Sequence, residues 1–373
     1  MNDAERRIKH ERVAGLLEAE GLDAVLLTRR CNFSWYTCGA ANHVATAADV
    51  GASTLVVDRA GACVLANNIE SPRLREEEFA GSGIEVLEYP YADASARQAL
   101  FEKVAGRRRA AADVPVPGVE AEPLPPAFDR LRWVLLPAEI ERYRAVCRDT
   151  VAAVEDSARA AGRGETEHVL AARLSAALAE RGLRAWVLLV AADERVARFR
   201  HPLPTARRAE KYFLLATCAE RHGLIAACTR LASFGRPGAD LERRHRAVAT
   251  VEAALLTATR PGATLGSAFA EAQAAYAAAG FPDEWRRHHQ GGSIGYLPRE
   301  AKASPGDATP ILEDQAFAWN PSVAGTKGED TVLCRPEGGV PLAPEGASGP
   351  TDWPTVRAEW KERAMDRPAI LVR

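Results

Sequence analysis

The sequence predicts a two-domain α/β chain, and three observations carry that expectation. At 373 residues, of which 47% are hydrophobic, the chain is long enough and apolar enough for two packed cores. Short apolar runs of strand length alternate with helical repeats through the first hundred or so residues, the pattern of an α/β domain. A proline-rich break then separates this stretch from a second series of long helices and strands. The expected domains are 1–130 and 131–373.

In chain order, residues 6 to 20 read as a helix with Ile8, Val13, Leu16 and Leu17 on one face, closed by Gly21. A buried strand follows at Ala24-Val25-Leu26-Leu27. Strands recur at 54–57 and 62–66, joined by the turn-like Asp58-Arg59-Ala60-Gly61. From Val114 to Pro126 repeated prolines remove backbone donors and restrict their predecessors, so no long regular element fits and the boundary falls at about 115 to 135. Pro137 suits the first turn of a long helix, and Thr166 and Gly182 suit the two ends of another. Strands at 186–190 and 212–215, helices at about 237–259 and 264–279, and strands at 315–319 and 331–334 complete an α+β second domain. The Pro- and Gly-rich stretch from Pro336 to Pro354 reads as a surface loop before a short terminal element.

Composition narrows the function classes. A formal net charge of −2 gives no electrostatic reason to expect nucleic acid or an anionic membrane as partner, and local basic runs such as Arg107-Arg108-Arg109 read as solvated surface. The charged start, Met1 to Arg7, lacks the apolar core of a secretion signal, and no run is long enough to span a bilayer, so a cytoplasmic location is expected. The seven cysteines form no CxxC pair, which fits reduced thiols in a cell interior.

The chemistry-bearing segments are His288-His289-Gln290-Gly291-Gly292-Ser293-Ile294-Gly295-Tyr296, Asn320-Pro321-Ser322 and Glu329-Asp330-Thr331. Together they resemble the aminopeptidase P, prolidase and creatinase family, whose metal-dependent members carry a Gly-His-Gly-Ile-Gly-like run, then Glu-Pro-Gly, then a second Glu before Asp-Thr. The resemblance extends along nearly the whole chain. Asn32 to Gly39 is similar to the family's Asn-x-x-Tyr-Leu-x-Gly run, and Leu131-Arg132 with Glu139-Ile140 resembles its domain-joining segment. Gly164-Glu165-Thr166-Glu167 is similar to its Gly-x-Thr-Glu. The resemblance implies a small N-terminal creatinase-like α/β domain and a C-terminal pita-bread α+β domain, two pseudo-symmetric halves facing one pocket.

Metal-dependent members of that family hold two divalent ions with two Asp, one His and two Glu, because acidic oxygens offset the ions' charge. Anchored on Thr229-Arg230, those five positions fall on Ala216, Ala227, Gly292, Asn320 and Glu329. From Tyr212 to Gly235 the only acid is Glu220, so no local shift of register recovers two aspartates. The expectation is therefore no metal and no cofactor. His288 and His289, being adjacent, are expected to point to opposite faces if they lie on a strand, which would keep them from ligating one ion together.

Creatinase is the family member that works without metal, and two of its features have counterparts. Phe199 to Pro204 resembles the segment carrying the family's catalytic histidine, which falls on His201, and Pro298-Arg299-Glu300-Ala301 is similar to the run whose arginine binds the substrate carboxylate. Imidazole titrates near neutrality and can accept and return a proton, so His201 is a candidate acid and base; the alternative is a satisfied loop histidine. Arg299 can grip a carboxylate bidentately or pair with Glu300 or another acid. Glu329, the surviving acid and second catalytic candidate, must bind a cationic substrate group, stay protonated, or pair with a protein cation such as Lys327. Asn320, Tyr296, His288, His289 and Cys218 are candidate pocket residues; Cys218 would need a nearby base to act as a nucleophile.

The leading expectation is a metal-independent enzyme acting on a C–N bond of a small zwitterionic amino-acid-like or guanidino substrate. A non-catalytic binding protein on the same scaffold and a metal-dependent X-Pro aminopeptidase or dipeptidase are the alternatives. By the same resemblance the chain is expected to form a homodimer in which Trp35, Tyr36 or His43 of one copy completes the pocket of the other.

Overall fold

The computed structural model describes residues 3–343 and 352–373, and the chain divides into two units, Met1–Arg132 and Trp133–Arg373. In the first unit six strands form one mixed sheet in the order Glu85–Tyr89, Ala62–Asn67, Val50–Asp58, Ala24–Arg29, Ala110–Ala112, Ala121–Pro123. Ala24–Arg29 is central and its first five residues are buried, as its unbroken apolar run requires. The turn before Ala62 is closed by Asp58, whose Oδ1 accepts from the amides of Ala60 at 2.8 Å and Gly61 at 3.0 Å. The opening helix, Asp3–Ala19, starts one turn earlier than its apolar pattern suggested. Trp35 and Tyr36, expected to reach into a partner's pocket, sit in the helix Arg30–Tyr36 and are buried within their own unit. Trp35 packs edge-on against Phe128, and the Tyr36 hydroxyl lies 2.9 Å from His10 Nδ1.

The second unit repeats one plan twice. Helices Pro137–Ala160 and Glu167–Ala179 precede the antiparallel strands Arg184–Ala192, Tyr212–Arg221 and Leu224–Ser233; helices Ala239–Ala258 and Leu265–Ala278 precede strands Gly291–Ser293, Ala316–Trp319 and Asp330–Arg335. Local chemistry fixes the helix starts. Thr166 Oγ1 accepts from Val169 N at 3.3 Å, Thr264 forms a reciprocal cap with Ser267, and Pro137 occupies the first turn while Glu139 Oε2 accepts from Leu136 N at 2.9 Å. The stretch expected as a loop from Pro336 departs from that reading. Gly338–Pro341 pairs with Asp330–Arg335 as an edge strand, residues 344–351 lie outside the described residues, and a hairpin, Thr355–Trp360 with Arg363–Pro368, follows.

The sheets of the two halves meet where Thr229 N donates to Glu329 O at 3.0 Å and Ala227 N donates to Thr331 Oγ1 at 2.8 Å. Behind this seam runs a buried ionic chain. Arg230 donates to Glu155 Oε1 and Asp330 Oδ1, each at 2.9 Å, and Arg367 donates to Asp330 Oδ2 at 2.6 Å and Glu252 Oε1 at 2.5 Å. Alternating sign along the chain offsets the desolvation of each charge and ties Thr229 and Glu329 to the helices behind them. No helix among the described residues is long and apolar enough to cross a membrane.

Candidate active site

Strand register assembles one wall. Ala216 pairs with Thr229 and Cys218 with Ala227, and side chains alternate along strands, so these four share one face of the hairpin. Ala216 and Ala227 carry no donor atom, and the buried Cys218 thiol stays protonated. The Thr229 hydroxyl donates to Glu329 Oε2 at 2.8 Å.

Glu329 is 4% exposed and two protein cations contact it. Lys327 Nζ lies 2.6 Å from Oε2, and Arg299 Nη2 lies 3.1 Å from Oε1. Burial works to raise its pKa, but the Lys327 and Arg299 charges and the hydrogen bonds from Lys327 and Thr229 prevail and hold it at about 2. Of the three fates open to this carboxylate, the ion pair is the one adopted. Lys327 and Glu329 are two residues apart in extended chain around Gly328, a spacing that puts both on one face.

A histidine cluster lies beside this ion pair. His288 Nε2 and His201 Nε2 are 3.1 Å apart, a hydrogen bond in which one ring must carry the proton. The His289 ring stands 4.5 Å from that of His288 and 5.7 Å from that of His201, centroid to centroid. The expected divergence of His288 and His289 does not occur, because both precede the strand Gly291–Ser293 and follow a 3₁₀ turn, Glu284–Arg287, so strand alternation never applies to them. Gln290, fully buried, pins the segment: its Nε2 donates to His288 O at 2.6 Å and its Oε1 accepts from Tyr276 Oη at 2.8 Å. Ser322 Oγ lies 3.4 Å from His288 Nδ1. Burial, reinforced by Lys327, lowers His288 to about 2; burial and Arg299 lower His289 to about 4; burial and Lys327 lower His201 as well. The imidazoles are therefore neutral at physiological pH.

The other expected pocket residues are placed as follows. Cys218 is buried, and desolvation followed by the Glu329 charge pushes its thiol up to about 11, the opposite of what a nucleophile needs. Tyr296 donates its hydroxyl to Glu139 Oε1 at 2.6 Å and so braces the helix Pro137–Ala160. Asn320 is 2% exposed with an Oδ1 that has no hydrogen-bond partner among the described residues, and Arg299 Nε is likewise unmatched. Sequence reasoning missed Thr229, Gln290 and Ser322, neutral groups whose roles depend on what crosses from the other half.

The residues do not fit the family's pair of ions. Ala216 and Ala227 offer methyl groups, and Asn320 one neutral oxygen. Gly292 has φ +151° and an added Cβ would lie 2.0 Å from Ala301 O, so the backbone has closed over the space a ligand side chain needs. Glu329 has both oxygens engaged by Lys327, Arg299 and Thr229. With one committed carboxylate in place of four acids, these five positions lack the donors that a dinuclear centre needs.

Fold and site together define a two-domain chain whose second unit is a pita-bread domain with a single pocket wall shared by its halves. Residues 141–340 match the model of metallopeptidase family M24, and the chain belongs to that family. Solved structures agree on the fold. A dipeptidase PepE from Mycobacterium ulcerans is 20% identical with a TM-score of 0.72, covering 92% of this chain and 97% of its own. A prolidase from Pyrococcus horikoshii is 18% identical with a TM-score of 0.76, covering 90% and 98%. An Xaa-Pro dipeptidase from Bacillus anthracis is 16% identical with a TM-score of 0.77, covering 99% and 100%. No curated protein matches the chain.

Proposed function

We propose that this member of family M24 hydrolyses a C–N bond in a small substrate bearing a carboxylate, using histidine acid and base chemistry in place of the family's dinuclear centre. The observation that carries this reading is the pair of protein cations, Lys327 and Arg299, on Glu329 where the family would place metal, next to the hydrogen-bonded pair His201 and His288. Neutral His201, the exposed member of the cluster, takes a proton from the attacking water as the C–O bond forms. It returns that proton to the departing nitrogen as the C–N bond breaks, with His288 orienting the ring. Lys327 and Arg299 stabilise the oxygen that gains negative charge, and the unmatched Arg299 Nε, a donor, and Asn320 Oδ1, an acceptor, remain to bind the substrate's polar end. In this reading Glu329 anchors the two cations and is too acidic to serve as a base. The homodimer inferred from the family resemblance belongs to the same proposal and is read by sedimentation.

A second reading has the family and the names of its structural neighbours behind it: a metal-dependent X-Pro dipeptidase. On homology alone it is the better supported of the two; the donor set speaks against it. Both are tested by incubating chelator-treated protein with X-Pro dipeptides and with N-substituted or guanidino amino acids, followed by mass spectrometry. Turnover that survives chelation and falls about 10²- to 10⁴-fold in His201→Ala supports the first reading. Turnover of X-Pro dipeptides only after Mn²⁺ is added, with two ions per chain, establishes the second. Binding without product overturns both.

A further inference from the structure

We infer that His201, His288 and His289 form a binding site for one divalent transition-metal ion of the zinc, nickel or copper kind, with a donor set distinct from the carboxylate centre of family M24. Each ring offers a nitrogen, and the three nitrogens lie within 4.8 Å of one another. Two of them, Nε2 of His201 and Nε2 of His288, are already 3.1 Å apart, near the roughly 3.4 Å that two ligands of a tetrahedral ion with bonds of about 2.1 Å require. A metal ion would take the place of the single proton these nitrogens now share, and rotation of the His289 ring would close the third side.

The surroundings suit a site of that kind. His288 is held from behind by Gln290 on its carbonyl and faces Ser322 Oγ at 3.4 Å through Nδ1, the outer contact that orients a ligating imidazole. His201 is exposed, so an ion can enter and keep a water as its fourth ligand. The chemistry also selects the ion. Glu329 pairs with Lys327 at 2.6 Å and with Arg299 at 3.1 Å and is taken up by them, so oxygen-seeking Mg²⁺, Ca²⁺ and Mn²⁺ gain little. The excess positive charge of Lys327 and Arg299 weakens the electrostatic part of binding for every cation. Ions that bond strongly to neutral nitrogen are those that overcome it. This inference rests on the imidazole geometry and stands whether or not the proposed reaction occurs; if it does, an ion on His201 withholds the lone pair that the reaction needs.

The test uses the full chain produced without a histidine tag, stripped with chelator and dialysed. Equilibrium dialysis against Zn²⁺ with elemental analysis is expected to give one ion per chain, binding at least tenfold more weakly in His289→Gln and in His288→Gln, while Mn²⁺ at the same concentration does not bind. Co²⁺ added to the unaltered protein is expected to give the intense visible absorption of a tetrahedral nitrogen site, a readout independent of how the variants fold. No bound zinc, zinc binding unchanged in both variants, a cobalt spectrum with sulfur-to-metal charge transfer, or two Mn²⁺ per chain would each overturn the assignment.

Discussion

Lys327 Nζ sits 2.6 Å from Glu329 Oε2, so the one acid remaining among the family's five ligand positions is neutralised from within the chain. Both side chains are less than a tenth exposed. Removing one member of a buried pair strands the other charge, whereas removing both strands neither. Glu329→Met, which strands both Lys327 and Arg299, is therefore expected to lose about 3–5 kcal/mol of stability in urea titration. The double variant Lys327→Met with Glu329→Met leaves one cation unpaired in place of two and is expected to be clearly more stable than Glu329→Met alone, and strict additivity of the two losses would show that the pair is not coupled.

The lowered histidines give stability a distinctive pH dependence. His288, at about 2, and His289, at about 4, stay neutral in the folded chain while the unfolded chain protonates both below about 6.5. The unfolded state then binds more protons, so stability is complete above pH 6.5 and declines as pH falls toward 4, before most carboxylates titrate. Urea midpoints measured between pH 7.5 and 4.5 are expected to drop, and His288→Asn is expected to flatten that decline. A midpoint constant down to pH 5 would contradict the burial of these rings.

Gly292 cannot simply be replaced by histidine. Its φ of +151° and the 2.0 Å approach of a Cβ to Ala301 O mean that any side chain must push the strand Ala301–Lys302 away. Gly292→Ala is expected to cost about 3 kcal/mol, from overpacking and backbone strain together. Gly292→His is expected to fold poorly and to gain no affinity for Mn²⁺, as read by thermal shift with and without the ion.

Cys218 is expected to be inert. Its thiol, raised to about 11 by burial and then by Glu329, offers almost no thiolate at neutral pH. Iodoacetamide labelling followed by peptide mass spectrometry is expected to modify Cys218 only after denaturation, and Cys218→Ala is expected to keep whatever turnover the unaltered protein shows. Rapid labelling of the native chain would reopen a nucleophilic role.

Much of the second unit was legible because its signals are local. Pro137 and Thr166 marked helix starts, Gly182 a stop, and unbroken apolar runs marked the strands that include Trp186–Val190 and Tyr212–Leu215. The expected loop from Pro336 failed at Gly338–Pro341, a strand of Gly-Gly-Val-Pro that has little propensity of its own and is made by pairing with Asp330–Arg335. The site was legible only as a set of losses. That Ala216, Ala227, Gly292 and Asn320 cannot act as two Asp, one His and one Glu ligand follows from their chemistry wherever the chain puts them.

The sequence by itself determined the fold family, the absence of the acids a dinuclear centre needs, and the presence of His201, Arg299 and Glu329. What stands in place of those acids was decided only by the tertiary structure. Arg299 meets Glu329 rather than Glu300, and Thr229 reaches across from the other half to the same carboxylate. His201 meets His288 from a segment 87 residues away. Such contacts depend on how two halves converge, and on a short irregular segment that turns two adjacent histidines to one side. Neither is written in periodicity or propensity, because both are set by packing between residues far apart in the chain.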